Sequence, residues 1–131
     1  MARIKSKNTK PEMLVRKLAH TLGYRFRLHR KDLPGKPDLV FAGRKAVIFV
    51  HGCFWHQHPD PDCRDAVLPK SRLEYWLPKL ERNQSRDADA IIQLERAGWR
   101  VMVIWDCDLK KPDRLADNLR AFLGPAGAGA S

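Results

Sequence analysis

The feature that most constrains the fold of this 131-residue chain is a segment with too few apolar residues to bury itself. Residues 51–70 follow neither helical nor strand periodicity and are rich in His, Pro, Asp and Cys. Cys53, His58 and Cys63 are spaced Cys-x4-His-x4-Cys, and Cys107 follows a distant apolar segment. Three thiolates and one imidazole are the donors of a closed tetrahedral zinc site. The sequence therefore predicts a structural zinc knuckle that pins this loop to the end of a later strand.

Other uses of the three cysteines are weaker interpretations. An odd number of cysteines, in a chain whose first residues lack the apolar stretch of a signal peptide, argues against a disulfide framework. Free thiols are often buried, but the segment from Cys53 to Cys63 has little apolar content to bury them. His51 and His56 compete with His58 for the imidazole position, and the spacing leaves that choice open.

Hydrophobic periodicity predicts an α/β fold around this segment. A long helix between two strongly apolar strands indicates a βαβ crossover within a mixed sheet that helices cover. Residues 1–123 are expected to form one domain, and the Gly/Ala-rich residues 124–131 to be disordered. The expected helices span 9–22, 71–97 (with a possible break near Asn83) and 113–123, and the expected strands span 24–29, 38–41, 46–50 and 99–105.

Capping patterns and apolar spacing predict the helix starts and faces. Thr9 is the expected N-cap of the first helix, with Glu12 at the acidic position of a capping box, and residues 71–74 repeat that pattern. Apolar residues three or four apart should face the core. For the first helix they are Leu14, Leu18 and Leu22, and for the long helix Leu73, Trp76, Leu77, Leu80, Ile91 and Leu94.

Positive charge is concentrated in the first third of the chain. Residues 1–45 hold 13 Lys and Arg against Glu12, Asp32 and Asp38, whereas residues 46–131 hold 12 basic and 12 acidic residues. One-sided charge is typical of proteins that bind a phosphate backbone, and the alternative is a solvated basic face. No apolar run approaches the roughly 20 residues that span a bilayer. A cytoplasmic nucleic-acid-binding protein is therefore expected.

Candidate catalytic residues surround two short apolar strands. Asp38 opens the first strand and offers a hard oxygen ligand for Mg²⁺, the cation that promotes phosphodiester hydrolysis in many nucleases. A Pro-Asp pair by itself usually forms part of a turn and has no catalytic role. His51 and His56 follow the second strand, and Asp87 on the long helix would fix the tautomer of His56 as its acceptor. The alternatives are solvated histidines, or histidines packed around the zinc site, and an exposed Asp87.

Aromatic residues in the polar loop indicate contact with bases. Phe54 and Trp55 lie beside the knuckle, and Trp76 begins the following helix. Flat side chains at a nucleic-acid surface stack on bases or wedge between base steps. Trp99 and Trp105, within an apolar run, are expected in the core.

The run VIFVHGCFWH at residues 47–56 is highly specific. Together with LPGKPD at 33–38 and GWRV at 98–101 it resembles the very short patch repair (Vsr) endonuclease family, from about Met1 to Cys107. The resemblance implies a restriction-endonuclease-like mixed sheet flanked by helices. It also implies an Mg²⁺-dependent endonuclease that nicks one strand 5′ of the thymine in a T·G mismatch. Such a protein would act as a monomer on double-stranded DNA, associated with the bacterial nucleoid and in contact with mismatch-repair proteins.

The resemblance assigns roles by position. Asp38 corresponds to the catalytic aspartate that binds Mg²⁺, and Val50 to a residue whose backbone carbonyl binds the same ion. His56 corresponds to the catalytic histidine. The remaining correspondences are Asp87 as its acidic partner, His51 as a second active-site histidine, Glu12 as an acid near the site, Cys53, His58, Cys63 and Cys107 as zinc ligands, and Phe54, Trp55 and Trp76 as intercalating aromatics.

The chain departs from the family pattern in several places. Val50 stands where a hydroxyl residue is expected, a change that a backbone ligand tolerates. The loop at 59–62 is longer than usual, which leaves the histidine ligand open. No Glu-x-Lys follows Ala46, so the histidines are expected to take part of its role. The family's DNA-clasping N-terminal arm would end where Met1 begins, which would weaken binding unless the chain starts further upstream.

Two alternative functions remain at this stage. One is a related nuclease that cuts another DNA substrate. The other is a zinc-bound DNA-binding module without catalysis. The joint presence of Asp38, His51, His56 and Asp87 disfavours the second.

Overall fold

The structure, a computed structural model, describes residues 9–28, 30–60, 63–68 and 70–126, with the side chain of Asp65 left out. Within these ranges the elements alternate as the sequence predicts. They are α1 (Lys10–Thr21), β1 (Arg27–Leu28), β2 (Leu39–Phe41), β3 (Ala46–His51), α2 (Cys53–His56), α3 (Leu73–Arg96), β4 (Arg100–Trp105) and α4 (Pro112–Leu123). Of the tail predicted to be disordered, residues 127–131 lie outside the described part. Among the helices described, none is long and apolar enough to cross a membrane.

The sheet is mixed and has the order β1-β2-β3-β4. β1 and β2 pair antiparallel, as do β2 and β3, whereas β3 and β4 pair parallel. The parallel register runs from Ala46 opposite Arg100 to His51 opposite Trp105. Because α3 connects β3 to β4, the predicted crossover within a mixed sheet is confirmed.

Alternation along β3 divides the core between the two faces of the sheet. Ala46 and Ile48 are buried in a cluster with residues of α1 and α4, such as Val15 and Leu119. Val47 and Phe49 are buried in a second cluster with Ala90 and Leu94 of α3. Successive strand side chains point to opposite faces, so His51 lies on the α3 side like Val47 and Phe49. This alternation directs the last residue of β3 toward the middle of α3.

The start of α1 agrees with its predicted cap, but its buried face differs. The Thr9 side chain accepts a hydrogen bond from the Glu12 amide, at 3.4 Å. Val15 and Ala19 are fully buried together with Glu12, while Leu14 is 45% exposed. The predicted stripe is therefore wrong at its first position. The helix turns Glu12 and its two small apolar neighbours toward the sheet, which points Leu14 to solvent.

α3 is continuous over 24 residues, so the break considered near Asn83 does not occur. Its N-cap is Arg72, in a left-handed conformation with no side-chain cap bond among the described residues, so the capping box predicted at 71–74 is wrong. Leu73 and Leu77 are also exposed rather than in the core, because the first turns of α3 precede its contact with the sheet. That contact is made by Leu80, Ala90 and Leu94.

The segment without periodicity is partly helical. α2 spans only four residues, and a 3₁₀ turn follows at Arg64–Ala66. Strand β1 covers two of the six residues predicted, with Leu28 exposed and Tyr24 buried ahead of it; the last predicted position, His29, lies outside the described residues. Short elements of this kind take their form from tertiary contacts rather than from a local pattern.

The turn before β2 approaches α3 so closely that only glycine fits at position 35. A Cβ atom there would lie 2.6 Å from the Ala90 Cβ and 3.1 Å from the Phe49 ring, at φ +72. We expect Gly35→Ala to lower the free energy of unfolding by about 2–4 kcal/mol, through left-handed strain plus overpacking. Urea unfolding measures this loss.

Gly98→Ala is the matched control. Its φ of +91 imposes similar backbone strain, but nothing lies within 4 Å of the added Cβ. A loss of only about 1–2 kcal/mol is expected there. Equal losses at both positions would refute the close approach of the turn to α3.

Candidate active site and metal cluster

A cleft of about 900 Å³ opens where β3 ends. Its walls come from the start of α1, the turn before β2, the end of β3 and the middle of α3. All five residues predicted to be catalytic line it: Glu12, Asp38, His51, His56 and Asp87. Residues distant in sequence are thus brought to one concave surface, as an active site requires.

Asp38 is fixed by backbone contacts to the neighbouring strand. Its amide donates to the Ile48 carbonyl at 3.1 Å, and its Oδ2 accepts from the Val50 amide at 2.7 Å. Burial raises the pKa of Asp38 to about 7, and the nearby Glu12 carboxylate adds to the rise while the Val50 hydrogen bond opposes it. A carboxylate held in this way is ionised most readily when a cation is close.

Glu12 occupies the inner end of the cleft and is 2% exposed. Its carboxylate accepts from the Arg16 guanidinium one helical turn later. The predicted acid near the site is therefore present beside Asp38, and the Arg16 cation offsets part of the negative charge of the two carboxyl groups.

A side-chain hydrogen bond joins His56 to Asp87 within the cleft. The His56 Nδ1 lies 2.5 Å from the Asp87 Oδ2. With Nδ1 engaged by a carboxylate, Nε2 is the ring nitrogen left to accept or release a proton. The α2 helix carries the histidine and α3 carries the acid, so the pair depends on the packing of these two helices.

His51 stacks on His56, with ring centroids 3.9 Å apart and planes at 7°. Its Nε2 is 3.9 Å from the Asp87 Oδ1. Burial, helped by the neighbouring His56, lowers the pKa of His51 to about 4, so this ring is neutral at neutral pH. His51, His56 and Asp87 also present ligand atoms within 4.8 Å of one another, a spacing that would suit a metal ion.

The predicted zinc donors form a separate cluster. One ligand atom each from Cys53, His58, Cys63 and Cys107 lies within 4.8 Å of the others. The His58 Nδ1 is 3.4 Å from the Cys107 Sγ and 3.8 Å from the Cys53 Sγ. Ligands of a tetrahedral zinc ion lie roughly 3–4 Å apart, so the donor set fits that metal. His58, and neither competing histidine, completes this group.

The cluster needs a cation to keep its thiols ionised. Burial raises the pKa of Cys53 to about 12 and also raises the pKa of Cys107. Thiolate is the form that binds metal, and a bound zinc ion deprotonates a coordinating thiol outright.

Phe54, Trp55 and Trp76 form one aromatic cluster beside the cleft. The Trp76 ring centroid lies 5.4 Å from Phe54 and 5.6 Å from Trp55. All three side chains are half-buried. The Asn83 side chain donates to the Trp55 carbonyl at 3.0 Å, which ties the aromatic loop to α3.

Sequence reasoning did not identify three residues as parts of these sites. Tyr75 extends the aromatic cluster, at 5.1 Å from Trp76. Gln57 donates to the Phe54 carbonyl at 2.7 Å and braces the same loop. Trp105, predicted only as core, touches two of the histidines. Its position two residues before Cys107 is the signal that could have revealed it.

Basic side chains line the cleft beside the acidic residues. Lys31 and Lys36 contribute from the turn before β2, and Arg86 from α3, where it donates to the Asn83 side chain. Cations next to carboxylates in one cleft are an arrangement suited to a phosphate backbone.

Comparison with known proteins places this chain in a family. Residues 1–64 match the family described as Vsr, DNA mismatch endonuclease. The type II nicking enzyme V.XorIIP of Xanthomonas oryzae pv. oryzae is 55% identical over 126 residues, covering 96% of this chain and 90% of that protein. The type II nicking enzyme V.NmeAIP of Neisseria meningitidis is 44% identical over 84% of this chain and 76% of its own length. The DNA mismatch endonuclease Vsr of Escherichia coli is 38% identical over 89% of this chain and 73% of its own length.

Proposed function

The chain belongs to the Vsr family of DNA mismatch endonucleases, and from this premise we propose that it nicks one DNA strand on the 5′ side of the thymine in a T·G mismatch. The observation that carries the proposal is the cleft that joins the half-buried carboxylate of Asp38 to the hydrogen-bonded His56–Asp87 pair. Hydrolysis of a phosphodiester needs a cation to stabilise charge and a group to transfer a proton, and a hard-cation site next to an oriented histidine would supply both.

Asp38 and the backbone carbonyl of Val50 are the proposed ligands of a catalytic Mg²⁺. Two neighbouring carboxyl groups in the cleft, Asp38 and Glu12, favour a hard cation with oxygen ligands. When bound, Mg²⁺ supplies charge stabilisation at the phosphoryl and leaving oxygens. The Val50 amide donates to the Asp38 carboxylate and fixes its orientation.

His56 is the proposed proton-transfer residue. The Asp87 carboxylate holds its Nδ1, which sets the tautomer and leaves Nε2 to exchange a proton with water or with the leaving oxygen. His51, neutral and stacked on His56, limits the tilt of that ring.

Zinc is the proposed occupant of the second cluster, in a structural role. Its four donors leave no coordination position for water, so the ion would hold the loop and not react. Because α2 begins at Cys53, such an ion would fix the helix that presents Phe54, Trp55 and His56.

The aromatic cluster is the proposed wedge that enters the DNA beside the mismatch. Half-buried rings supported on a rigid helix can replace a lost base-stacking contact. A mismatched pair costs less to unstack than a matched one, which favours the mismatched site. The basic residues of the cleft would hold the adjoining phosphates.

The first test is single-turnover nicking of an end-labelled T·G duplex, with Mg²⁺ added or omitted. Omission is preferable to chelation because chelators also remove zinc. Asp38→Asn and His56→Ala are each expected to slow nicking by about 10²–10⁴-fold, since one removes a cation ligand and the other the proton-transfer group.

Asp113→Asn and His20→Ala are the matched controls. Both residues are exposed and lie on α4 and α1, outside the cleft. Cleavage of other mismatches or homoduplexes, with T·G duplexes left intact in every flanking sequence, would favour a related nuclease of different substrate. Salt-dependent binding without cleavage of any DNA would indicate a non-catalytic binding module.

The second test addresses the zinc. Purified protein is expected to contain one zinc ion per chain by mass spectrometry. His58→Ala should lose it and lower the free energy of unfolding by about 3–5 kcal/mol, because the loop then lacks its anchor. Zinc retained in His58→Ala and lost in His56→Ala would reverse the assignment of the two histidines.

The third test addresses the aromatic wedge. Trp76→Ala is expected to weaken binding of a T·G duplex by about 1–3 kcal/mol while changing the affinity for a matched duplex much less. Leu77→Ala, the exposed neighbour on α3, is the control. Equal weakening on both duplexes would argue for a general DNA contact instead of a wedge. Fluorescence anisotropy measures both affinities.

A further inference from the structure

Trp105 lies at the point where the metal cluster and the cleft meet. It is the last residue of β4 and stands opposite His51, the last residue of β3, in the parallel register. Cys107 follows two residues later, and the Trp105 amide donates to the Asp108 side chain at 2.8 Å. The end of β4 thus brings the Cys107 thiol to the metal cluster and the Trp105 indole to a histidine of the cleft.

The indole contacts one histidine from each site. The His58 ring stacks on Trp105 with centroids 4.3 Å apart and planes at 14°. His51 meets the same indole edge-to-face, at 5.2 Å and 74°. Since His51 in turn stacks on His56, an unbroken row of rings runs from the metal cluster to the His56–Asp87 pair.

His51 depends on this packing for its orientation. Among the described residues its buried Nδ1 has no hydrogen-bond partner, and its Nε2 is 3.9 Å from the Asp87 carboxylate, beyond hydrogen-bond distance. Hydrogen bonds therefore do not fix the plane of the ring. The remaining restraints are its aromatic neighbours Phe49, His56 and Trp105.

We propose that Trp105 is a positioning residue for strand nicking. Held flat against His58, it fixes the plane of His51 and, through the His51–His56 stack, the plane of the proton-transferring ring. The inference rests on the proposed function in one respect: His56 is the group whose orientation governs the rate. The metal cluster then does more than anchor its loop. Because Trp105 packs on His58, an ordered cluster also restrains the histidines of the cleft.

The experiment compares Trp105→Leu with Trp105→Phe in the full chain. Leucine fills space without a flat face, whereas phenylalanine keeps a smaller one. We expect Trp105→Leu to slow single-turnover nicking of a T·G duplex by about 10–10²-fold, the usual effect of a misaligned catalytic group. The Kd for the duplex should change less than about twofold, since no DNA contact is removed. Trp105→Phe should recover most of the rate.

Trp99→Leu is the matched control. Trp99 precedes β4 at its other end, where its ring contacts Lys45 and Arg30. The Trp99→Leu variant should nick the duplex at close to the wild-type rate. If its rate falls as far as that of Trp105→Leu, general destabilisation explains the effect and the positioning role is overturned.

Histidine NMR provides a readout that does not depend on catalysis. The chain has five histidines, so ¹³Cε1-labelled protein gives a simple spectrum. Loss of the indole ring current should move the His51 and His58 signals in Trp105→Leu, with zinc content unchanged. Unchanged signals, or loss of zinc with the indole, would overturn the proposal.

The outcomes separate this inference from the function it rests on. An active wild type with an equally active Trp105→Leu overturns the positioning role alone. An inactive wild type removes the proposed function, and with it a role for Trp105 in nicking, whatever the NMR signals show. If Trp105→Leu does not fold, Trp105→Met replaces it, because methionine also fills space without a flat ring: a nicking rate equal to that of the wild type would then overturn the proposal.

Discussion

The parallel pairing of β3 with β4 is the interaction on which the rest of the site depends. Its register brings the two strands to an end at the same level, with His51 opposite Trp105. The chain continues from one end to Cys53 and from the other to Cys107. A slip of one residue would send His51 to the opposite face of the sheet and separate the thiols. The metal cluster and the histidine stack are therefore two consequences of one backbone register.

A second constraint is the rigidity of α3. Trp76, Asn83 and Asp87 are spaced by seven and four residues, which places them along one side of a continuous helix. That helix is anchored through Ala90 and Leu94 on the buried face of β3 and β4. Because one helix carries an aromatic residue of the cluster, the brace of the Trp55 loop and the acid that holds His56, these three move together. The separation between proposed wedge and cleft is thus set by helix geometry.

Residues with strong local chemistry could be predicted from sequence, and residues defined by packing could not. The apolar β3 and the three cysteines led to the observed arrangement, whereas the cysteine spacing left three histidines as candidates and the family resemblance selected His58. Leu14 and Leu73 fit a helical pattern yet are exposed, because the sheet covers only part of each helix. Trp105 was predicted as core because it follows an apolar run. That run does not reveal the imidazoles that other segments of the chain bring against the indole. The pairing of His56 with Asp87 was one of two interpretations of a polar residue on the long helix, and the family resemblance favoured it over an exposed Asp87.

Two polar groups of the cleft lower the free energy of unfolding, each in its own range of pH. Burial raises the pKa of Asp38 from 3.8 to about 7 and lowers that of His51 from 6.5 to about 4. The His51 shift destabilises the fold only below pH 6.5, where the unfolded chain would be protonated, so a neutral His51 costs nothing at neutral pH. The Asp38 shift destabilises it once the pH rises above 3.8, and most above 7, because the unfolded carboxyl ionises more easily. At neutral pH the cost therefore rests on Asp38 alone, and a cation bound only by the folded state offsets it. The fold thus places a destabilised carboxylate where the proposed metal would be held.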